Sequence, residues 1–457
     1  MLNIPLKTKN QLTDYFAQGA KDPHHFAIGA EHERFLFDQR TRDRVAFKGE
    51  RGIESLINRF RDFGWEPEIN QRVPIAAVNQ IQRSSLTLEP GGQFELSGAP
   101  LSNLHETDIE LQQYEGYLYS ILGALRLTEL SLGFDPITPL HHVPWMPKER
   151  YVIMRAYMPQ KGNLGLDMML RTSTIQVNLD YSNERDMVKK FRVAMALQPI
   201  VAVLFATSPF KEGKPSEKNS YRNYVWQDTD PDRCGFLKFI FDDNMGYERY
   251  VDYLLDVPMY FVYRNGEYIN AAGLSFRNFM TGTLEAYPHQ FPQLSDWRDQ
   301  TTIAFPEVRL KQYLELRGAD CGPRSMKMAL PALWVGLLYD QQNLDELHDL
   351  VMSWPIDELE QFYYQAPSLG LNTPFLDTMV IDQLEDLVAR ARHGLERRNI
   401  VNTQGLTESI FLSPLEKLLT DKINLSDYLL AHYHNQGDIS FLWEKSFWHD
   451  LDYWLSS

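Results

Sequence analysis

Polar and apolar positions along the chain follow two periods. Apolar residues at helical spacing predict helices over 10–18, 53–63, 107–126 and 185–206, then over 247–255 and 325–340. From about residue 340 the helical period dominates: 344–353, 355–364 with Pro355 at its start, 376–398, and 413–420 opened by Ser413-Pro414. Strand patterns fall mainly between 28 and 320. The expectation is an α+β fold, with a sheet in the first two-thirds and a helical C-terminal third. No internal repeat and no Gly/Ser/Pro-rich linker interrupts the chain. One domain is therefore expected over 1–457, with a sheet-bearing core at about 20–320 and a helical part at about 325–457.

Four strand patterns carry unusual polar faces. In IGAEHERFLF (28–37), alternation puts Glu31 and Glu33 on one face with Phe35 and Phe37, two like charges about 7 Å apart pointing where a core would lie. In LTLEPGGQFELSGAP (86–100), Gln93, Glu95 and Ser97 share a face, and Glu89 precedes a Pro-Gly-Gly turn. RTSTIQVNLDY (171–181) lines up Thr172, Thr174, Gln176, Asn178 and Asp180. PEVRLKQYLELRGAD (306–320) reads as one strand with Glu307, Arg309, Lys311, Tyr313, Glu315 and Arg317 on one face. An antiparallel sheet with one face in water explains polar alternation in any single strand. It explains less well three strands that carry glutamates, one of which adds a file of Arg, Lys, Glu and Arg. Opposed carboxylates repel, and a divalent cation relieves them. Mg²⁺ takes oxygen ligands and keeps waters for phosphates, so glutamates beside Arg and Lys point to a nucleotide triphosphate site.

Composition narrows the classes. With 457 residues, 44% hydrophobic and 12% aromatic, the chain can bury a large core. A net charge of −16 argues against a general nucleic-acid or anionic-membrane binder. The longest apolar run, 193–206, is shorter than the roughly 20 residues that span a bilayer, and contains Gln198 and Pro199. It reads as a buried helix. Cys234 and Cys321 are the two cysteines, too few for a disulfide framework or a Cys-type zinc site, and they fit a reducing compartment. The N-terminal segment lacks a signal-peptide core. A soluble, cytoplasmic protein is expected. No GxxxxGK[ST], GxGxxG after a strand, HExxH or nucleophile elbow occurs, and the His24-His25 and His141-His142 pairs lack further ligands at metal spacing.

The segments GAEHERF, GGQFELSGAP, RYVIMRAYMP, GLDMMLRTSTIQVNLD, MALQPIVAVLFATSPF, YRNYVWQDTDPDR, VDYLLDVPMYFVYR and FPEVRLKQYLELRGAD closely resemble glutamate–cysteine ligase of the plant and proteobacterial type, in order from about residue 20 to 400. The resemblance implies a glutamine-synthetase-like fold, a curved, mainly antiparallel sheet forming a funnel. It implies ATP-dependent joining of the γ-carboxylate of L-glutamate to the amine of L-cysteine through a γ-glutamyl phosphate, the first step of glutathione synthesis. By resemblance, Glu31, Glu33, Glu89, Glu95, Gln176 and Glu315 would hold two or three Mg²⁺ ions. Arg309 and Lys311 would meet ATP phosphates, and Arg171, Arg317 and Glu315 would be catalytic. Arg150, Arg155, Arg222, Trp226, Tyr260 and Asn178 would bind substrate, with Arg suited to carboxylate by its planar fork. Met168 and Met169 are candidates for the thiol pocket. Glu307 is read as a partner of Arg309.

The resemblance implies that plant members are redox-regulated through paired cysteines, one pair near the segment matching 269–286. This chain has Ala271 and Ala286 there, so no such switch is expected, and thiol-linked dimerisation is in doubt. A monomer or weak homodimer is expected. Glutathione, which contains the γ-glutamylcysteine moiety, is a candidate feedback ligand. A start close to the first helix favours a bacterial origin. Two other readings stay open: a ligase of the same fold joining glutamate to a different amine, and a non-catalytic binding or regulatory homologue.

Overall fold

The computed structural model describes residues 5–70 and 73–456. Its frame is a nine-stranded sheet. The strands are β1 (Ile28–Asp38), β2 (Glu66–Asn70), β3 (Val73–Asn79), β4 (Ser84–Leu88), β5 (Phe94–Ser97), β6 (Leu127–Leu130), β7 (Thr174–Leu179), β8 (Val308–Leu310) and β9 (Leu314–Asp320). They run in the order β8-β9-β7-β1-β5-β4-β3-β2, with β6 also paired to β1, and every pairing is antiparallel. The α+β expectation and the antiparallel sheet both hold.

β1 is the central strand, and its alternation makes two different surfaces. Glu31 pairs across to Gln176 on β7 and to Ser97 on β5, and Glu33 pairs to Glu95 on β5. These residues share the front face. His32 and Arg34 point to the back, where the helices Glu184–Leu204 and Arg324–Leu338 pack on the sheet. The run 193–204 is buried throughout its helix, as its apolar continuity required, and Arg324–Leu338 is buried from Met326 onward. Each fully buried Leu or Phe there adds about 1.5–3 kcal/mol. No helix among the described residues is long and apolar enough to cross a membrane.

Two strand assignments change. Residues 306–320 form a hairpin rather than one strand, because the chain reverses between Leu310 and Leu314. Alternation survives the reversal: Arg309 now faces Glu315 across the two strands. Residue 171 ends a helix, Gly165–Arg171, and β7 begins only at Thr174. The helices Glu149–Tyr157, Tyr221–Gln227, Leu294–Thr302, Leu425–Gln436 and Lys445–Ser456 lay outside the predicted set. In the first three, polar residues interrupt the apolar spacing.

Candidate active site

The front of the sheet floors an open cavity of about 400 Å³. One wall is anionic. Glu31, Glu33, Glu89 and Glu95 all line it. Glu95 accepts hydrogen bonds from the Thr87 hydroxyl and, at 3.0 Å, from the Ser97 hydroxyl. Glu33 accepts from the Thr174 amide at 3.1 Å. Glu31 accepts from the Asn178 amide group at 2.8 Å. Glu89 sits where β4 gives way to the Pro90-Gly91-Gly92 turn. Gly92 has φ 78°, and a Cβ on Gly91 would stand 2.3 Å from the Leu170 carbonyl oxygen, so both glycines are needed to bring this turn against the cavity.

Nearby cations, Lys311 and Arg317 at Glu31 and Arg222 and Arg317 at Glu33, do not outweigh burial and like charge here. Burial first, then Glu89 and Glu95, pushes the Glu33 carboxyl well above its ordinary range. Burial, then Glu31 and Glu89, pushes Glu95 from 4.5 up to about 8. Burial and then Glu315 raise Glu31. Such a wall is costly without a counter-charge. Its donors are all oxygens, which suits Mg²⁺. Among the described residues no three His, Cys, Asp or Glu side chains already gather around one point. The carboxylates would therefore hold ions singly or in pairs, with waters and phosphate oxygens completing the coordination.

The hairpin β8–β9 supplies the opposite charge. Arg309, Lys311 and Arg317 line the cavity and converge on Glu315. Arg309 Nε donates to Glu315 at 2.7 Å, Lys311 Nζ at 2.9 Å and Arg317 Nη1 at 2.7 Å. Burial opposes ionisation of Glu315, but Arg309, Lys311 and Arg317 outweigh it and hold this carboxyl well below the usual carboxylate range. Both Glu315 oxygens accept from these side chains, so Glu315 gathers three cations at the cavity wall. Gln176 also lines the cavity, and its amide oxygen accepts from Arg317 at 2.6 Å.

The remaining residues divide. Arg150, Arg222 and Trp226 line the cavity, as do Met168 and Met169. Arg222 donates to the carbonyls of Arg317 at 2.8 Å and Gly318 at 3.2 Å. Its Nε and the Trp226 Nε1 are buried without a partner among the described residues. Four assigned residues do not reach the cavity wall. Arg155 is exposed and lies over the Trp145 ring at 4.6 Å. Tyr260 is buried beneath Arg233, 4.1 Å from its guanidinium carbon, with its hydroxyl on the Met158 sulfur at 3.5 Å. Arg171 is buried against Asp167, the Thr138 carbonyl, Glu212 and the Phe134 ring, because a helix end turned it away from the β7 face. Asn178 serves Glu31 instead of lining the cavity.

Sequence reasoning missed several wall residues. Lys148 donates to the Leu88 carbonyl at 2.7 Å, and burial pulls its ammonium down to about 8. Tyr151, Asp299 and Phe305 also line the cavity. Asp299 is pushed up to about 6 by burial and then by Asp296. Lys148 and Tyr151 sit in a segment without period-2 alternation, so nothing in the pattern marked them.

An antiparallel sheet with carboxylates facing guanidinium groups across a cavity defines an enzyme for anionic substrates. The particular kind is given by comparison: the chain belongs to glutamate-cysteine ligase family 2 (GCS2), whose model matches residues 27–445. Glutamate–cysteine ligase B, chloroplastic, of Oryza sativa subsp. japonica is 45% identical over 440 residues, covering 96% of this chain and 85% of the relative. The chloroplastic glutamate–cysteine ligase of Nicotiana tabacum is 46% identical over 430 residues, covering 94% and 80%. The crystal structure of a glutamate–cysteine ligase from Francisella tularensis in complex with AMP shares the fold, with a TM-score of 0.57 over 94% of this chain and 89% of that one at 13% identity. The plant relatives are chloroplastic proteins, and this overturns the cytoplasmic reading.

Proposed function

We infer that the protein is an ATP-dependent glutamate–cysteine ligase, making γ-glutamylcysteine, ADP and phosphate in the first step of glutathione biosynthesis. Family membership and about 45% identity to named ligases carry the reaction. The observation that carries the site is the uncompensated carboxylate wall facing a cationic hairpin across one cavity.

In this reading Glu31, Glu33, Glu89 and Glu95 hold two or three Mg²⁺ ions. When bound, the metal neutralises phosphate charge. The chain's own residues position the reactants, which is most of what phosphoryl transfer asks of a protein. Lys311, with protons to spare beyond its bond to Glu315, meets the ATP phosphates beside Arg309 and Arg317. Asn178 holds Glu31 in place. Arg222, Trp226 and Arg150 orient glutamate so that its γ-carboxylate faces the phosphate end. Met168 and Met169 offer a soft, apolar wall for the cysteine thiol. The protein works as one catalytic unit, monomeric or weakly dimeric, and glutathione competes at the same cavity through its γ-glutamylcysteine moiety.

The test is ADP release by purified protein with Mg-ATP and glutamate, with cysteine added or omitted and serine, alanine and 2-aminobutyrate as rival acceptors. Turnover favouring cysteine, with the product mass of γ-glutamylcysteine, is expected. Turnover favouring another amine keeps the acyl-phosphate mechanism and rejects the acceptor. ATP binding without turnover makes the protein a non-catalytic homologue.

A further inference from the structure

Joining an amine to an acyl phosphate needs a group that takes a proton. Cysteine arrives as an ammonium, which has no lone pair with which to attack, and ends as an amide N–H. Six carboxylates line the main cavity among the described residues, and no histidine or cysteine does. Glu31, Glu33, Glu89 and Glu95 form the anionic wall. Glu315 is held by Arg309, Lys311 and Arg317. Glu307 does not line the cavity, and Arg309, which the sequence pattern gave it as a partner, turns to Glu315 instead. Lys148 and Tyr151 both donate to the Leu88 carbonyl, at 2.7 and 2.8 Å, and the Lys148 ammonium has no acceptor to offer. Asp299 is the carboxylate left over.

Asp299 belongs to the helix Leu294–Thr302. Asp299 and Thr302, three residues apart, share the stripe of that helix that lines the cavity. The Thr302 carbonyl accepts from Arg309 Nη1 at 2.7 Å, so this end of the helix abuts the cationic hairpin. Asp299 thus stands one helical turn from the phosphate end. Its backbone carbonyl accepts from the Thr302 hydroxyl at 2.7 Å, but its carboxylate has no hydrogen-bond or ion-pair partner among the described residues. The charged groups around it are engaged elsewhere or stand off. Asp296, on the same helix, holds Arg264 through both oxygens at 2.6 Å each. Arg150, on the helix Glu149–Tyr157, and Tyr268, on the hairpin 261–270, act on Asp299 through space without a hydrogen bond to it. With its carboxyl pushed up to about 6, Asp299 is ionised at neutral pH and still basic enough to receive a proton.

We propose that Asp299 receives the ammonium of the incoming cysteine and takes its proton, as the catalytic base for the attack on the acyl phosphate. The proposal rests on the ligase reading above. The freed amine attacks the γ-carbonyl carbon of the γ-glutamyl phosphate. The N–C bond forms, the C–O bond breaks, and phosphate leaves with the bonding pair and the second amine proton. The first proton passes from Asp299 to water.

The experiment compares two acceptors in the wild type and in Asp299→Asn. Cysteine must lose a proton before it attacks. Hydroxylamine is neutral at ordinary pH and attacks an acyl phosphate unaided, giving the γ-glutamyl hydroxamate. D299N is expected to lose γ-glutamylcysteine formation by about 100-fold or more, the scale of general-base catalysis, while its hydroxamate formation stays close to wild type and reports an intact fold. The cysteine deficit should shrink as pH rises, because solvent then supplies the free amine. Undiminished cysteine turnover in D299N overturns the proposal. So does an equal loss of both products, which marks a structural role, and so does a deficit that pH leaves unchanged. A wild type that forms neither product rejects the ligase reading, and the proposal with it. A wild type that forms both keeps that reading whatever D299N does.

Discussion

β1 carries charge on both of its faces, and the two faces treat it in opposite ways. At the back, Arg34 is fully buried, yet Glu129 lies 2.8 Å away and Glu115 3.6 Å away, and Lys327 and Arg324 close the group around Glu115. Burial opposes ionisation of Glu115, but Lys327, Arg34 and Arg324 outweigh it and hold the carboxyl at about 2. At the front, Glu31, Glu33, Glu89 and Glu95 line one wall, and the carboxyls of Glu31, Glu33 and Glu95 are all raised. Buried charge that is balanced within the protein serves structure. Buried like charge left unbalanced at a cavity wall awaits a partner from outside. Glu315 shows the contrast inside the cavity itself, since three cations make it a strut where its neighbours are left open.

The comparison breaks first at the back. Arg34→Met leaves Glu129 and Glu115 short of a buried counter-charge, and unfolding free energy is expected to fall by about 3–5 kcal/mol. Denaturant melts would show it, and an unchanged midpoint would mean that the cluster is not a structural pair. At the front the signs reverse. Glu31→Gln or Glu33→Gln should cut turnover at ordinary Mg²⁺ by about 10- to 100-fold or more, while the metal-free protein melts no lower than wild type. Normal turnover at ordinary Mg²⁺ rejects the metal role for that residue.

A pH series sharpens the same contrast. Glu95 titrates at 4.5 when unfolded and at about 8 in the metal-free fold, so between those values the folded state binds a proton that the unfolded state has released. Stability of the metal-free protein should therefore fall as pH rises from 4.5 to about 8, by at most about 1.4 kcal/mol per unit for each such proton. Mg²⁺ held by these carboxylates would displace the protons, so the rise in Tm on adding it should grow with pH over that window. A Tm gain independent of pH would separate the metal from these carboxylates. The smallest effect is expected at Arg155→Ala: an exposed side chain outside the cavity should shift the KM for glutamate by less than about twofold. A larger shift would restore Arg155 to the substrate site.

Much was legible in one dimension. Period-2 alternation placed Glu31 with Glu33, Glu95 with Ser97, and Arg309 with Glu315 on one face, because side chains on a strand must alternate whatever the strand packs against. It also survived the mistaken reading of 306–320, since a hairpin reversal kept Arg309 and Glu315 opposite each other. The long helices were legible for the same local reason, including the apolar 193–204. Arg171 was lost because a polar strand start and a helix end look alike when the next residues alternate. Lys148, Tyr151 and Asp299 were lost because they join the site from loops and helices with no strand period of their own.

The sequence by itself determined which residues could be charged on which strand face, the family they belong to, and hence the reaction. Only the tertiary structure decided how those charges are shared. Whether a glutamate meets cations, as Glu315 does, or other carboxylates, as Glu33 does, depends on which strands become neighbours and in what register. Coulomb energy depends on distance and burial in space, and separation along the chain carries neither.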